Sequence, residues 1–224
     1  MDRPGVVNNR GLRHSLERIG SAALALGLAA LKWGFVFAKF FSFFISAAAY
    51  SLWFHNWSFG VGFALMIFVH ELGHIIEARR QGLQVSWPTF IPFFGAFVTI
   101  ERAGLTPWKN ALIALAGPLF GGAASAVVWA FAASRDSQML EVLANLGFLI
   151  NAFNLLPIGF LDGGQTVRAA REAWRMPVIR FEGGIPVQAF APDRARALTI
   201  VGLYVGLAAL LVIGMMATRL NGML

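Results

Sequence analysis

Long apolar segments constrain this chain more than any other feature. Residues 111–134, 142–161 and 198–218 contain no Asp, Glu, Lys or Arg. Each is long enough to cross a hydrocarbon layer of about 30 Å, which takes roughly 20 helical residues. Only 13% of the chain is charged, whereas a soluble domain carries about 25%. The sequence therefore predicts a polytopic membrane protein.

The apolar segments predict an all-α fold of about five transmembrane helices. Their approximate bounds are 33–54, 57–79, 110–134, 139–157 and 198–218. Residues 19–31 are also apolar, but one helix over 19–54 would be about 54 Å long, too long for a single crossing. We expect residues 19–31 to form an N-terminal helix that lies along the membrane interface. Two crossings before His55 are the alternative.

Basic residues are concentrated in two of the connecting segments. They are Arg79, Arg80, Arg102 and Lys109 before the third helix, and Arg168, Arg171, Arg175, Arg180, Arg194 and Arg196 before the fifth. The positive-inside rule places both segments in the cytoplasm and favours a single crossing before His55, because the basic N-terminus is then cytoplasmic too. The net charge of +7 thus indicates membrane orientation and not nucleic-acid binding. A short, cysteine-free chain suits a prokaryotic inner membrane.

Residues 81–100 are uncharged, yet their glycines and prolines exclude one continuous helix. FGAFVTI at residues 94–100 is typical of a strand, which we place at the membrane edge as a small β element. Residues 177–190 contain two strand-like halves around Gly183 and Gly184, which indicate a hairpin or, equally, an irregular loop. No connecting segment is long enough for a separate domain. We therefore expect residues 1–224 to form one membrane-embedded domain.

The segment HELGH at residues 70–74 places polar side chains inside an apolar helix. His70 and His74 are four residues apart, so they share one helix face and can bind one ion, while Glu71 can take a proton from a metal-bound water. Burying the carboxylate alone costs about 2.5 kcal/mol or more unless a cation compensates. Because the chain has no cysteine, any metal must bind through His and carboxylate. Gly73 predicts close approach of another backbone.

A catalytic zinc site needs a third protein ligand and one open position. Asp162, in NLLPIGFLDGGQ at residues 154–165, is the best candidate, because Pro157 ends its helix and the following glycines let the carboxylate turn inward. Its other possible role is to cap a helix over 165–174. The remaining candidates are less suitably placed: His14, His55, Glu77 and Glu141. Asn154, and less strongly Asn151, could donate to a substrate carbonyl or simply join two helices.

Together these motifs resemble the site-2 protease family of intramembrane zinc metallopeptidases. HELGH, NLLPIGFLDGG and the AGP of residues 116–118 occur in the family's order, and the resemblance covers the chain from about residue 33. It implies one zinc ion per chain, held by His70, His74 and Asp162, with Glu71 as general base and Asn154 positioning substrate. It also implies strands at the bilayer edge.

The resemblance further implies that the substrates are transmembrane segments of membrane-tethered, single-span proteins. Such a segment must unwind before attack, and an edge strand could receive it by β-addition. We assign this role to Gly95, Ala96, Phe97 and Val98. The bilayer and these substrates are the expected partners, and no feature indicates an oligomeric state.

Many members of the family carry a PDZ or CBS domain, whereas this chain fits a compact form. Two other hypotheses about function stay open. The same ligands could serve a zinc-binding membrane sensor or interaction protein without hydrolysis, or an ion or proton transporter. Glu71 discriminates the first of these from the enzyme, since it is needed as a base but not as a ligand.

Overall fold

The computed structural model describes the backbone of residues 9–100, 105–175, 178–182, 185–190 and 192–221. Within them lie six helices: α1 Asn9–Trp53, α2 Trp57–Arg80, α3 Pro107–Arg135, α4 Gln138–Asn154, α5 Asp162–Arg175 and α6 Arg194–Asn221. The strands are β1 Thr89–Ile91, β2 Gly95–Phe97, β3 Val178–Glu182 and β4 Ile185–Phe190. Arg102 and the Gly183–Gly184 pair lie outside the described residues.

Four of these helices are long and apolar enough to cross a membrane. The candidate spans are Leu24–Trp53, Trp57–Arg80, Pro107–Arg135 and Arg194–Thr218. The fourth predicted span corresponds to α4, whose 17 residues are at the lower limit for crossing a bilayer. The structure thus confirms the predicted all-α membrane fold with a small β element. The chain is an integral membrane protein.

Helix α1 continues without interruption from Asn9 to Trp53. Residues 19–31, which we expected as a separate interfacial helix, belong to the same helix as residues 33–53. No proline occurs in α1, so nothing in its sequence forces the chain to leave the helical conformation. Internal contacts divide the chain into two compact units, the first ending at Phe41 and the second beginning at Ser42.

The second unit is organised around α3, which packs against α2, α4, α5 and α6. Two polar side chains fix where α2 and α3 begin. The Asn56 side chain accepts a hydrogen bond from the Phe59 amide at 3.0 Å and starts α2. Thr106 accepts from the Lys109 amide at 3.3 Å, with Pro107 as the first residue of α3. Both caps satisfy amides that lack a partner within the helix.

The apolar segment after α2 forms a short antiparallel hairpin. Ala96 of β2 lies opposite Phe90 of β1, and a further bridge joins Val85 to Ile100. Phe90 is anchored on the C-terminal part of α1, where its amide donates to the Ser42 hydroxyl at 3.0 Å. The predicted strand at residues 94–100 is therefore present, although its regular part is limited to β2. The later segment also forms a hairpin, with β3 antiparallel to β4.

Candidate metal centre

Three predicted ligands and the predicted base come from two helices that are far apart in sequence. His70, Glu71 and His74 lie in the C-terminal half of α2, and Asp162 is the first residue of α5. All four side chains are buried. The fold therefore brings two imidazoles and two carboxyl groups into the interior of the second unit.

One atom from each of three side chains converges on a single point. The Nε2 atoms of His70 and His74 are 3.2 Å apart. Asp162 Oδ2 lies 3.2 Å from the first of these nitrogens and 3.4 Å from the second. A tetrahedrally bound ion with bonds of about 2.0–2.1 Å spaces its ligands by about 3.3–3.4 Å. The triangle formed by His70, His74 and Asp162 has these dimensions.

Hydrogen bonds at the opposite ring nitrogens determine what the triangle can hold. His74 Nδ1 lies 2.8 Å from the carbonyl of Ile113, which can only accept. His70 Nδ1 lies 2.8 Å from Asn151 Oδ1, and the amide nitrogen of Asn151 donates to Gly147 O at 2.7 Å. Each neutral imidazole therefore carries its proton on Nδ1 and directs the lone pair of Nε2 inward.

The arrangement leaves three electron-rich atoms facing one another in the interior. Asp162 Oδ2 is buried and has no hydrogen-bond donor among the described residues. An unpaired buried carboxylate is costly, and two adjacent lone pairs add repulsion. A divalent cation removes both penalties, so the donor set fits a metal ion with one open position. Such outer hydrogen bonds to ligating imidazoles are typical of metal sites.

Glu71 is buried beside this triangle without belonging to it. The converging ligand atoms are those of His70, His74 and Asp162 alone among the residues described. Glu71 instead shares with them the wall of a cavity of about 870 Å³. A carboxylate in this position is available for proton transfer, because it is not used as a ligand.

The same cavity contains the predicted substrate-contacting residues. Asn154 lines it and makes no side-chain hydrogen bond to a described residue. Gly95, Ala96, Phe97 and Val98 form another part of its wall. Asn151 is also present, but its amide is engaged with His70. Of the two asparagines, the structure gives Asn151 a contact with a candidate ligand and leaves Asn154 facing the cavity.

Glycines of α3 make room for the site, a role that was not predicted for them individually. A Cβ at Gly117 would overlap the imidazole of His74, and one at Gly121 would overlap the amide of Asn151. On the facing helix, a Cβ at Gly73 would overlap the carbonyl of Ala116. The AGP of residues 116–118 thus allows α2 and α3 to approach closely, with His74 between them. The spacing of small residues along α3 was the sequence feature that indicated this close approach.

We expect Gly117→Ala to destabilise the protein by about 1–3 kcal/mol, because the added methyl overpacks the contact with His74. Gly202→Ala in α6 is the matched control, since a Cβ there meets no atom within 4 Å. The control should be neutral, or stabilised by up to about 1 kcal/mol through helix propensity. Thermal unfolding of both variants in detergent measures the difference. Equal unfolding midpoints would contradict the proposed contact.

A turn between α4 and α5 places Asp162. Helix α4 ends at Asn154, three residues before Pro157, because proline disfavours the helical conformation in the residue that precedes it. A Cβ at Gly163 would overlap the carbonyl of Leu155, so the start of α5 packs directly on the turn. The Thr166 hydroxyl donates to the backbone carbonyl of Asp162 at 2.8 Å. These contacts hold the carboxylate at the cavity wall.

Comparison with known proteins agrees with this geometry. A sequence profile of peptidase family M50 matches residues 58–137 and 131–185, which include both motifs. The putative zinc metalloprotease Rip3 of Mycobacterium tuberculosis is 34% identical over 164 residues, covering 68% of this chain and 40% of that protein. The putative zinc metalloprotease sll0528 of Synechocystis is 30% identical over 122 residues, or 50% of this chain and 32% of that protein. The chain thus spans less than half the length of these relatives.

Proposed function

Since the chain belongs to peptidase family M50, we propose that it is an intramembrane zinc metalloprotease that hydrolyses peptide bonds in transmembrane segments of other proteins. The observation that carries this proposal is the pairing of a complete three-ligand triangle with Glu71, a buried carboxylate that the triangle does not use. A purely structural metal site has closed coordination and needs no such neighbour. We further propose that the substrates are single-span, membrane-tethered proteins released by regulated proteolysis.

Each residue of the site has a distinct task in this reaction. Zinc held by His70, His74 and Asp162 would supply Lewis acidity and an activated water. Glu71 takes the proton of the attacking water and passes it to the leaving amine nitrogen, so the carboxylate is regenerated. Asn154 donates from its amide to the scissile carbonyl, where negative charge develops. Asn151 accepts from His70 Nδ1 and so keeps the Nε2 lone pair directed at the position that the ion would occupy.

The substrate segment must be unwound to reach the site. A helix uses its own carbonyls as hydrogen-bond acceptors, so an intact transmembrane helix offers none for attack. Strand β2 pairs with β1 on one side only among the described strands, which leaves its second edge for an extended peptide. Gly95 to Val98 line the cavity that holds the candidate metal centre, which supports a role for this strand in binding substrate. We therefore propose β2 as the strand that receives the substrate backbone.

We propose that the site faces the cytoplasmic side of a prokaryotic inner membrane. Helix α2 ends in Arg79 and Arg80, close to the motif, whereas its first turn is uncharged. Helix α6 begins with Arg194 and Arg196, which places its N-terminus on the same side by the positive-inside rule. Water then reaches the ion from the cytoplasm. In this proposal residues 1–224 act as one membrane-embedded protease domain, with every site residue in the second unit.

The other two functional hypotheses, a zinc sensor and a transporter, have less support. A non-catalytic zinc sensor would use the same ligands, but it gains nothing from burying Glu71 beside them. A transporter requires polar groups along a path across the bilayer. Among the described residues, the side chains that could share a metal ion form a single group, which consists of His70, His74 and Asp162.

Cleavage of matched single-span proteins tests the proposal. In each pair, one member carries Gly-Pro within its span and the other is uniformly helical. The purified zinc-loaded chain should cut the interrupted member faster, because less helix must be unwound before attack. A zinc chelator should stop cleavage and added zinc should restore it, as followed by mass spectrometry of the fragments. Cleavage that continues in excess chelator would refute the metalloprotease proposal.

A further inference from the structure

A second concave site lies between α5 and α6, separate from the metal cavity. It is a groove of about 330 Å³ whose surface is almost entirely apolar. Val167 and Ala170 contribute from α5, and Leu198 and Val201 contribute from α6. Leu198 is 62% exposed and Val201 is 47% exposed. On a membrane protein, such a groove faces lipid unless something else fills it.

The groove is elongated along α6. Leu198, Val201 and Tyr204 line it at intervals of three residues, so they share one helix face and cover about 9 Å along the axis. Arg194 precedes Tyr204 by ten positions, or about 15 Å. The groove therefore has one end at the start of α6 and extends from there along this candidate transmembrane helix. Its shape suits a hydrocarbon chain lying parallel to α6.

The end of the groove at the start of α6 is cationic and aromatic. Arg171 lines the groove and makes no ion pair with a described residue. The Arg194 guanidinium lies 5.4 Å from the ring centroid of Trp174, which also lines the groove. Trp and Arg together are typical of the level of lipid headgroups. This end therefore offers two guanidinium groups and an indole to a ligand.

The surrounding charges favour an anion. Five arginines belong to α5 and the first turn of α6: Arg168, Arg171, Arg175, Arg194 and Arg196. Two carboxylates belong to the same part of the chain, outside the candidate metal centre. Asp193 is engaged with Arg196 at 3.2 Å, and Glu172 lies on α5. The ligand that complements the groove has a negative head and an apolar body.

We propose that the groove between α5 and α6 binds an anionic phospholipid. The phosphate lies between Arg171 and Arg194, where guanidinium groups can donate paired hydrogen bonds to its oxygens. One acyl chain follows Leu198 and Val201 towards Tyr204. The groove is not suited to a zwitterionic lipid to the same degree, because the additional cationic headgroup would face the arginines.

The bound lipid would touch residues that support the metal centre. Thr166 and Tyr204 both line the groove. The Thr166 hydroxyl donates to the Asp162 carbonyl, and the Tyr204 hydroxyl donates to the Leu155 carbonyl in the turn before it. An occupied groove would thus contact two residues that support the turn that carries Asp162. The lipid site itself does not depend on the proposed proteolysis.

Native mass spectrometry of the purified full chain tests this proposal. The probes are phosphatidylglycerol and phosphatidylcholine with identical acyl chains, titrated separately into the detergent solution. We expect preferential retention of one phosphatidylglycerol. The double variant Arg171→Gln/Arg194→Gln should weaken its binding by roughly fivefold for each arginine, and leave phosphatidylcholine unchanged. Arg135→Gln, at the far end of α3, is the matched control and should change neither.

A second variant keeps the test decisive if the double variant fails to fold. Val201→Trp fills the apolar part of the groove from an exposed position, so it should displace both lipids without disturbing the core. Inorganic phosphate at the same concentration should not compete, since it lacks the acyl chain. Equal retention of the two lipids would overturn the proposal, as would retention unaffected by Val201→Trp. Competition by inorganic phosphate would show an anion site and refute the lipid.

Discussion

Glu71→Gln is expected to reduce peptide hydrolysis by about 10²–10⁴-fold, the usual contribution of a positioned general base. The amide has nearly the shape of the carboxyl group but cannot accept the proton of the attacking water. Zinc should remain bound at its original stoichiometry, because Glu71 is not one of the three convergent ligands. The variant therefore separates binding of the metal from its chemistry.

The measurement combines metal analysis with cleavage of the same single-span substrate. Glu77→Gln is the matched control, since it lies on the same helix but pairs with Arg80, with the Arg80 Nε 2.6 Å from Glu77 Oε2. The control should keep both zinc and activity. Full activity in Glu71→Gln would remove Glu71 from the mechanism. A loss of zinc together with activity would show that Glu71 is needed to hold the ion.

Asp162→Ala is expected to weaken zinc binding by more than about 100-fold, because it removes one of three ligands and the only negative one. The two imidazoles that remain hold a divalent ion poorly, and the site loses its compensating charge. Peptide hydrolysis should disappear with the metal. We expect little loss of folded protein during purification, because the buried carboxylate has no donor to lose.

Competition with a chromophoric chelator measures this change in affinity. Asp193→Ala is the control, since the Asp193 amide donates to the Ala173 carbonyl near the C-terminal end of α5 at 2.9 Å and its carboxylate pairs with Arg196 at 3.2 Å. The control should bind zinc as tightly as the unmodified chain. Unchanged zinc affinity in Asp162→Ala would mean that a different residue completes the site, and would refute the assignment of the third ligand.

The transmembrane helices were predictable because their signals are strong and local. The spans expected at 57–79 and 110–134 correspond to α2 and α3 to within a few residues, since a proline, a cap or a basic pair marks each end. The span expected at 139–157 ends earlier, at Asn154, because Pro157 affects the residues before it as well. The expected break near residue 31 is not found in α1. We expected that break because the apolar segment is longer than a membrane is thick. No residue near position 31 forces the helix to end.

The candidate ligands stand out in the sequence, whereas the residues that support them do not. His70, His74 and Asp162 stand out because ionisable residues are rare in apolar helices. Asn151 is less conspicuous than Asn154 in the sequence, and only the packing of α4 against α2 shows which amide reaches His70. Likewise, Gly117 is one small residue among many in the sequence of α3. The spacing of small residues indicates a close approach to α3, but which glycine meets His74 depends on the rotation of two helices about their axes.

The order of the candidate ligands along the chain has a consequence for biogenesis. His70 and His74 enter the membrane with α2, whereas Asp162 is synthesised only after α3 and α4. A nascent chain inserted as far as α4 carries both imidazoles and Glu71, but lacks Asp162, whose carboxylate completes the triangle. We therefore expect metallation of the candidate site to follow insertion of the later helices, so the proposed hydrolytic activity would be absent until Asp162 has emerged from the ribosome.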